Sequence, residues 1–209
     1  MQLAVGFLLL ANMFPIFLNL EGKRCLVVGA GKVAEGKIRG LLEARTSVEV
    51  VAPEATWQIQ KWAWEGVIGW RARTFEPSDL DQVSIVIAAT SLREVNGEVF
   101  RQARVRNVLC NAVDDPQNCD FYYPAVVNRG DLQIAISTAG RSPALAQRLR
   151  RELELQFGPE YESWVAELGK AREELTAHRL DSEARRKLLH EIASREAFLD
   201  RNSATRGEH

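Results

Sequence analysis

The stretch Arg24-Cys-Leu-Val-Val-Gly29-Ala30-Gly31-Lys32-Val33-Ala34 decides the fold. Its first half is a continuous apolar run, the pattern of a parallel strand covered on both faces. Val33 to Ala44 follows with helical spacing at Val33, Ile38, Leu41 and Leu42. Between them lies G-x-G-x-x-A, in which Gly29 permits a tight turn, Gly31 leaves room for a pyrophosphate against the backbone, and Ala34 lets the helix pack close to the sheet. The N–H groups along Gly29, Ala30, Gly31, Lys32 and Val33 are expected to hold the phosphates, helped by the helix dipole. A glycine turn by itself also serves packing; its place between a strand and a helix, with a second strand to follow, points to a dinucleotide.

Outward from this turn, strand and helix alternate. Ser47 to Ala52 reads as a second strand, and Trp57 to Gly66 as a helix with Trp57, Ile59, Trp62 and Ala63 available for packing. Val67 to Trp70 is a short strand, Ser84 to Ala89 a strong one, Val95 to Arg104 a helix and Val108 to Val113 a fifth strand. Such a series implies an α/β fold with a doubly wound parallel sheet. Leu132 to Ser137 alternates apolar and polar residues, so it is expected as a half-exposed strand outside the parallel core. Ser142 and Pro143 then mark a helix start, as a cap and a first residue that needs no N–H. Gly158-Pro159 ends that helix, a second covers about 160–178, a third about 181–199, and a polar tail from Arg201 is expected to fray.

The second strand ends Val51-Ala52-Pro53-Glu54. Sites that prefer NAD usually close this strand with an acid that accepts the ribose hydroxyls, about 20 residues past the glycines. Here Glu54 is displaced beyond a proline, so backbone groups at Ala52 and Pro53 are expected to share in the recognition. No arginine follows at the tip to meet a 2′-phosphate, which favours NAD over NADP.

Composition narrows the chemistry. The 209 residues are 46% hydrophobic and 26% charged, with 27 Lys and Arg against 28 Asp and Glu, a net charge of -1. That balance opposes a chain-wide electrostatic hold on nucleic acid or lipid, though it leaves room for a local basic patch. Of the charged side chains, 26 lie in 141–209, 13 of each sign, the mark of solvated helices. The three histidines, His178, His190 and His209, all fall near the end, which argues against a Ser/His/Asp hydrolase and a histidine-rich metal site. Cys25 and Cys110 sit in apolar strands as core residues, Cys119 lacks any metal-ligand spacing, and no CxxC pair exists. No metal ligands are assigned, and a reducing cytoplasm fits this usage. The apolar run Leu3 to Leu18 has two readings. One is a membrane anchor, disfavoured by Pro15, by its length and by the lack of a preceding Lys or Arg. The other is a short extension over 1–12, with the domain starting near Met13 and Phe14 to Leu20 leading into the first strand.

Five motifs in register carry a resemblance. Phe14-Pro-Ile-Phe-Leu-Asn-Leu-Glu-Gly-Lys23, Val-Val-Gly-Ala-Gly-Lys-Val-Ala at 27–34, Ile-Ala-Ala-Thr at 87–90, Cys-Asn-Ala-Val-Asp at 110–114 and Ser-Thr-Ala-Gly-Arg-Ser-Pro at 137–143 are similar to the siroheme synthase N-terminal module family. These are precorrin-2 dehydrogenases, some of them also sirohydrochlorin ferrochelatases. The resemblance covers about 13–175. It implies a cytoplasmic homodimer with an NAD-binding Rossmann domain over 13–115, a dimerisation region over 116–145 and a helical domain over 146–209. It implies NAD-dependent oxidation of precorrin-2 to sirohydrochlorin, with ferrous iron inserted in some members. No nucleic-acid or membrane partner is expected, and too few residues follow Ser142 for the methyltransferase domain of fused members.

The same resemblance assigns a site. Asp114, just after the fifth strand, matches the family's aspartate for dehydrogenation and chelation, and a carboxylate can accept the proton that leaves as hydride departs. From the residues alone, Asp114 and Asp115 also read as a turn before Pro116. Thr90 is expected near the nicotinamide ribose or as a strand-end cap. Asn111, Ser137, Thr138, Gly140, Arg141 and Ser142 are expected around the substrate. The family pattern Ser-Ser-Gly-Gly-x-Ser-Pro is altered here, with Thr138 at the second serine and Ala139 at the first glycine, so a role carried over to Thr138 is in doubt. Precorrin-2 carries eight carboxylates, and Arg129, Arg141, Arg148, Arg150 and Arg151 could line a basic cleft or pair with Glu152 and Glu154 on a solvated helix. A module that binds NAD without catalysis is the competing reading, and retention of Asp114 favours the enzyme.

Overall fold

The computed structural model describes residues 13–177 and 181–206. The proposed extension over 1–12, the end of the second C-terminal helix at His178, and His209 lie outside the described residues. Two compact units divide the chain, 1–122 and 123–209.

In the first unit, β1 (Arg24–Val28), β2 (Ser47–Val51), β3 (Gly69–Arg71), β4 (Ile85–Ala88) and β5 (Leu109–Ala112) form one parallel sheet in the order β3-β2-β1-β4-β5. The helices are α1 (Lys32–Glu43), α2 (Trp57–Trp64) and α3 (Arg93–Val105). The apolar strand runs are explained by double coverage. Cys25 and Val27 pack with Ala34, Ile38 and Leu41 of α1 and Ile59 of α2, while Leu26 and Val28 pack with Val99, Phe100 and Ala103 of α3. Because β1 has β2 on one side and β4 on the other, the strand order reverses there, and a crevice opens at the carboxyl ends. Gly29 seals the bottom of that turn. Its φ is +104°, and a Cβ there would lie 2.5 Å from the Ala89 carbonyl oxygen. Gly29→Ala is therefore expected to destabilise the fold by about 3 kcal/mol, combining backbone strain with a clash against backbone; an unchanged midpoint in thermal or denaturant unfolding would refute this.

Several expectations are corrected. Trp57 does not pack; it is 71% exposed at the start of α2, where the burial falls to Ile59. β3 lies at Gly69–Arg71, with Val67 exposed ahead of it. Val33 faces solvent, leaving Ala34, Ile38 and Leu41 as the buried face of α1. Met13 to Leu18 is an exposed segment without strand pairing, and Leu20 is the first of the described residues to pack on the core.

The second unit begins with an antiparallel hairpin of β6 (Ala125–Arg129) and β7 (Leu132–Ile136). β7 is half-exposed, as its alternation implied, and β6 was missed. The Gly130-Asp131 pair that turns the hairpin, with Gly130 at φ +59°, was the available signal. Then come α4 (Pro143–Gln156), α5 (Glu160–Ala177), α6 (Ser182–Ile192) and α7 (Arg195–Arg206). Ser142 caps α4 as expected, its Oγ accepting the Leu145 N–H at 3.3 Å. The single helix expected over 181–199 is two. Ser194 interrupts it, its Oγ accepting the Ala197 N–H at 3.2 Å and so capping α7. The frayed tail is likewise corrected, because α7 continues to Arg206, and Arg201 clamps Glu167 of α5 at 2.5 and 2.7 Å. Phe157, Tyr161, Trp164 and Phe198 form the aromatic centre of this unit.

Candidate functional site

The crevice beside β1 is a cleft of about 520 Å³. Gly29, Ala30 and Gly31 form one wall, Ala52, Pro53 and Glu54 a second, and Thr90, Ser91 and Leu92 a third. A Cβ on Gly31 would meet nothing within 4 Å. That open space adjoins the first turn of α1, whose N–H groups have no intrahelical acceptor, so the geometry fits a diphosphate. Lys32 and Val33 lie in this first turn with exposed side chains; their backbone is the part suited to phosphate. Lys32 forms an ion pair with Glu35 at 3.1 Å.

At the tip of β2 the expected backbone recognition is narrowed. The Ala52 N–H donates to the Arg71 carbonyl at 3.2 Å, and the Ala52 carbonyl accepts the Trp70 indole N–H at 3.0 Å. Pro53 has no N–H, so the tip has no uncommitted N–H donor at these two residues. Glu54, which had seemed displaced, lines the cleft.

Thr90 closes β4, but its hydroxyl is engaged within the loop. It lies 2.7 Å from Asn96 Oδ1 and 3.0 Å from the Leu92 carbonyl, and it accepts the Leu92 N–H at 3.1 Å. Asn96, 3% exposed in α3, also accepts the Thr90 N–H and donates to the Thr90 carbonyl, both at 3.1 Å. The capping reading of Thr90 is thus the one these bonds support. Asn96, which sequence reasoning missed, shapes this wall of the cleft. A lone asparagine six residues on carries no recognisable spacing signal.

Asp114 stands two residues past β5, at the same carboxyl edge of the sheet, outside the lining of the cleft. Its φ of 58° is left-handed, a conformation that aspartate tolerates better than most residues and that turns the chain sharply there. Asp115 is occupied differently, its Oδ2 accepting the Asn118 amide at 2.8 Å. Asn111, expected around the substrate, is 7% exposed, and its amide donates to the Phe121 carbonyl at 2.8 Å. Lys37, half-buried on α1, was also missed. Burial pulls its ammonium below the usual lysine range, and the nearby Asp114 and Cys119 oppose that shift. Burial pushes the Cys110 thiol up to about 12, with Asp120 and Cys119 adding to the effect, so it remains a protonated core residue.

In the second unit, residues 137–142 form a turn held by their own side chains. Ser137 Oγ accepts the Ala139 N–H and Thr138 Oγ1 the Ser142 N–H, both at 3.1 Å. Ala139 at φ 50° and Gly140 at φ 76° are both left-handed, which explains why glycine suits both positions. Ala139→Gly is expected to stabilise the protein by about 0.5 to 1 kcal/mol; a lowered unfolding midpoint would contradict it. Two of the five arginines, Arg148 and Arg150, take the solvated-helix reading. Arg148 pairs with Glu152 at 2.7 Å, Arg150 pairs with Glu154, and Arg129 donates to the carbonyls of Phe157 and Glu154, capping the end of α4. Arg141 and Arg151 show no ion pair among the described residues.

Residues 16–125 match the family described as "Putative NAD(P)-binding", and residues 129–156 match "Sirohaem biosynthesis protein central". Siroheme synthase 1 of Aeromonas hydrophila is 39% identical over 186 residues, covering 88% of this chain and 40% of that protein. Siroheme synthase 2 of Yersinia enterocolitica is 41% identical over 166 residues, covering 79% and 35%. The chain thus spans about two fifths or less of the length of these relatives. Among solved structures, SirC, a precorrin-2 dehydrogenase, superposes with a TM-score of 0.76 at 28% identity, covering 88% of this chain and 91% of that one. The chain therefore belongs to the siroheme synthase N-terminal module family, in which an NAD(P)-binding domain is followed by the sirohaem biosynthesis central region.

Proposed function

We propose that this protein is a cytoplasmic NAD-dependent precorrin-2 dehydrogenase, making sirohydrochlorin for siroheme. The observation that carries the reading is the shared carboxyl edge of the sheet, with the Gly31 cradle beside β1 and Asp114 beside β5. The likeness to a precorrin-2 dehydrogenase over nearly all of that protein's length supports it. Bound NAD would supply a hydride acceptor. The chain's own residues do the rest: the first turn of α1 holds the diphosphate, the Asn96-braced loop at Thr90 shapes the nicotinamide side, and the Asp114 carboxylate accepts the proton released from the ring system. Lys37 lies within electrostatic reach of that carboxylate.

The sheet edges of the β6–β7 hairpin support the reading of 116–145 as a region that joins two copies, because two strands alone make a marginal sheet. Among the described residues no helix is long and apolar enough to cross a membrane.

The test is anaerobic incubation of the purified chain with precorrin-2 and NAD. Stoichiometric appearance of NADH and sirohydrochlorin is expected, and no turnover above the uncatalysed rate would overturn the reading. A second incubation, with sirohydrochlorin and ferrous or cobaltous ion but no NAD, separates a dehydrogenase from a dehydrogenase that also inserts iron as a substrate. Metal insertion no faster than the spontaneous rate marks a dehydrogenase alone.

A further inference from the structure

Asp79 is the most deeply buried carboxylate among the described residues, 1% exposed, and no step of the proposed reaction uses it. It sits in the short 3-10 turn Pro77–Leu80 that follows β3. Burial alone would raise its carboxyl, but the bonds from Arg73 and the Glu76 N–H, with the charges of Arg73 and Arg71, outweigh that and hold it below the usual range. It is therefore an anion at neutral pH, and a buried anion needs partners on both oxygens. Oδ1 accepts Arg71 Nη1 at 3.1 Å and Arg73 Nη2 at 2.6 Å, while Oδ2 accepts Arg73 Nη1 at 2.8 Å and the Glu76 N–H at 2.9 Å.

These bonds enclose a wall of the cleft. Residues 72–76 link β3 to the turn, and Thr74 and Phe75 among them line the cleft. Arg73 Nη1 also donates to the Thr74 carbonyl at 2.9 Å, so one guanidinium is fixed on Asp79 and at the same time holds the backbone of a lining residue. The Glu76 N–H fastens the far side of the pair, and Phe75 packs, partly buried, on the core cluster that contains Leu80 and Val99. A forked contact to two oxygens of one carboxylate fixes direction as well as distance, which suits it to hold a loop still. Ordering a loop on binding subtracts from affinity, and a loop that is already ordered avoids that cost.

We propose that Arg73 is a positioning residue for dinucleotide binding: anchored on the buried Asp79 carboxylate, it sets Thr74 and Phe75 as a preformed wall of the cleft. The inference rests on the dinucleotide reading of the cleft and concerns the stiffness of its wall, with no contact between Arg73 and the ligand.

The test compares the purified full chain with Arg73→Ala, Arg73→Lys, Asp79→Asn and the Arg73→Ala/Asp79→Asn double variant. NAD affinity is measured by calorimetry well below each melting temperature, and turnover with precorrin-2 at saturating NAD. Arg73→Ala is expected to weaken NAD binding about tenfold, while kcat and the KM for precorrin-2 stay within about twofold. Arg73→Lys keeps the charge but cannot bridge both Asp79 oxygens and the Thr74 carbonyl at once, so it falls between Arg73→Ala and wild type. Asp79→Asn weakens NAD binding to a similar degree, and adding Arg73→Ala to it costs little more, because the arginine acts through that anchor. The Arg73 variants decide the question even where Asp79→Asn does not fold: Arg71 and the Glu76 N–H still meet Asp79 without Arg73, whose side chain is itself 35% exposed. Unchanged NAD affinity in Arg73→Ala overturns the assignment and leaves the cleft a dinucleotide site. A parallel fall in NAD affinity and kcat, or losses that multiply in the double variant, overturns it too. A wild type that binds no NAD overturns the reading of the cleft itself.

Discussion

Asp114→Asn is expected to lower the rate of NADH formation from precorrin-2 by about a thousandfold while NAD binding stays intact, the usual scale for removing a positioned proton acceptor. Asparagine is the informative replacement. Asp114 occupies left-handed backbone at φ 58°, a region that asparagine shares with aspartate, so the turn after β5 survives and the charge alone is removed. Asp114→Ala should be equally inactive, with a modest extra loss of stability because alanine is less at ease there. The neighbouring carboxylate is not a substitute. Asp115 Oδ2 accepts the Asn118 amide at 2.8 Å, and its carbonyl accepts the Asn118 N–H at 3.0 Å, so it is fixed in the turn that follows. Single-turnover NADH formation and NAD calorimetry check the two halves separately. Undiminished turnover in Asp114→Asn removes Asp114 from the chemistry, whereas loss of NAD binding would make its effect indirect.

The parts of this site legible in sequence are those that depend on neighbours along the chain. The apolar run from Cys25 to Val28 meets core on both faces, and the glycines after it have the two separate roles that their spacing implied: closure against Ala89 at Gly29, open space at Gly31. Ser142 and Pro143 start a helix for reasons contained in four residues. What escaped depends on pairs far apart in sequence. Nothing near Arg71 or Arg73 predicts that a buried carboxylate several residues on will bind both. Nor does Ala52 reveal that Trp70, 18 residues away, will take its carbonyl. The arginines of α4 erred in the opposite direction. Grouped by sequence they suggest a polyanion site, yet i,i+4 partners on the same helix neutralise Arg148 and Arg150. Ser194 was misread because helical spacing continues on both sides of it, and the hydroxyl that starts a new helix leaves that periodicity intact.

Gly31→Asp is expected to reduce NAD affinity by more than about a hundredfold without lowering stability, and the separation of these two effects is what tests the cradle. Gly31 has φ -85° and ψ -174°, extended backbone open to any residue, and it occupies the N-cap of α1. An aspartate there is a favourable cap, and its charge lies at the positive end of the helix dipole, so the stability should hold or rise by up to about 1 kcal/mol. A Cβ at this position meets nothing within 4 Å, and that open space suits a diphosphate. The carboxylate would fill that volume, take the N–H donors of the first turn and set like charge against phosphate. Together these effects amount to roughly 3 kcal/mol or more. Gly31→Ala, which adds bulk without charge, should fall between the variant and wild type. Equal NAD affinity for Gly31→Asp and wild type, with the helix intact, would move the diphosphate away from this turn and with it the reading of the cleft. A loss of affinity accompanied by a fall in melting temperature would instead trace the effect to misfolding, an outcome that the empty space around Gly31 argues against.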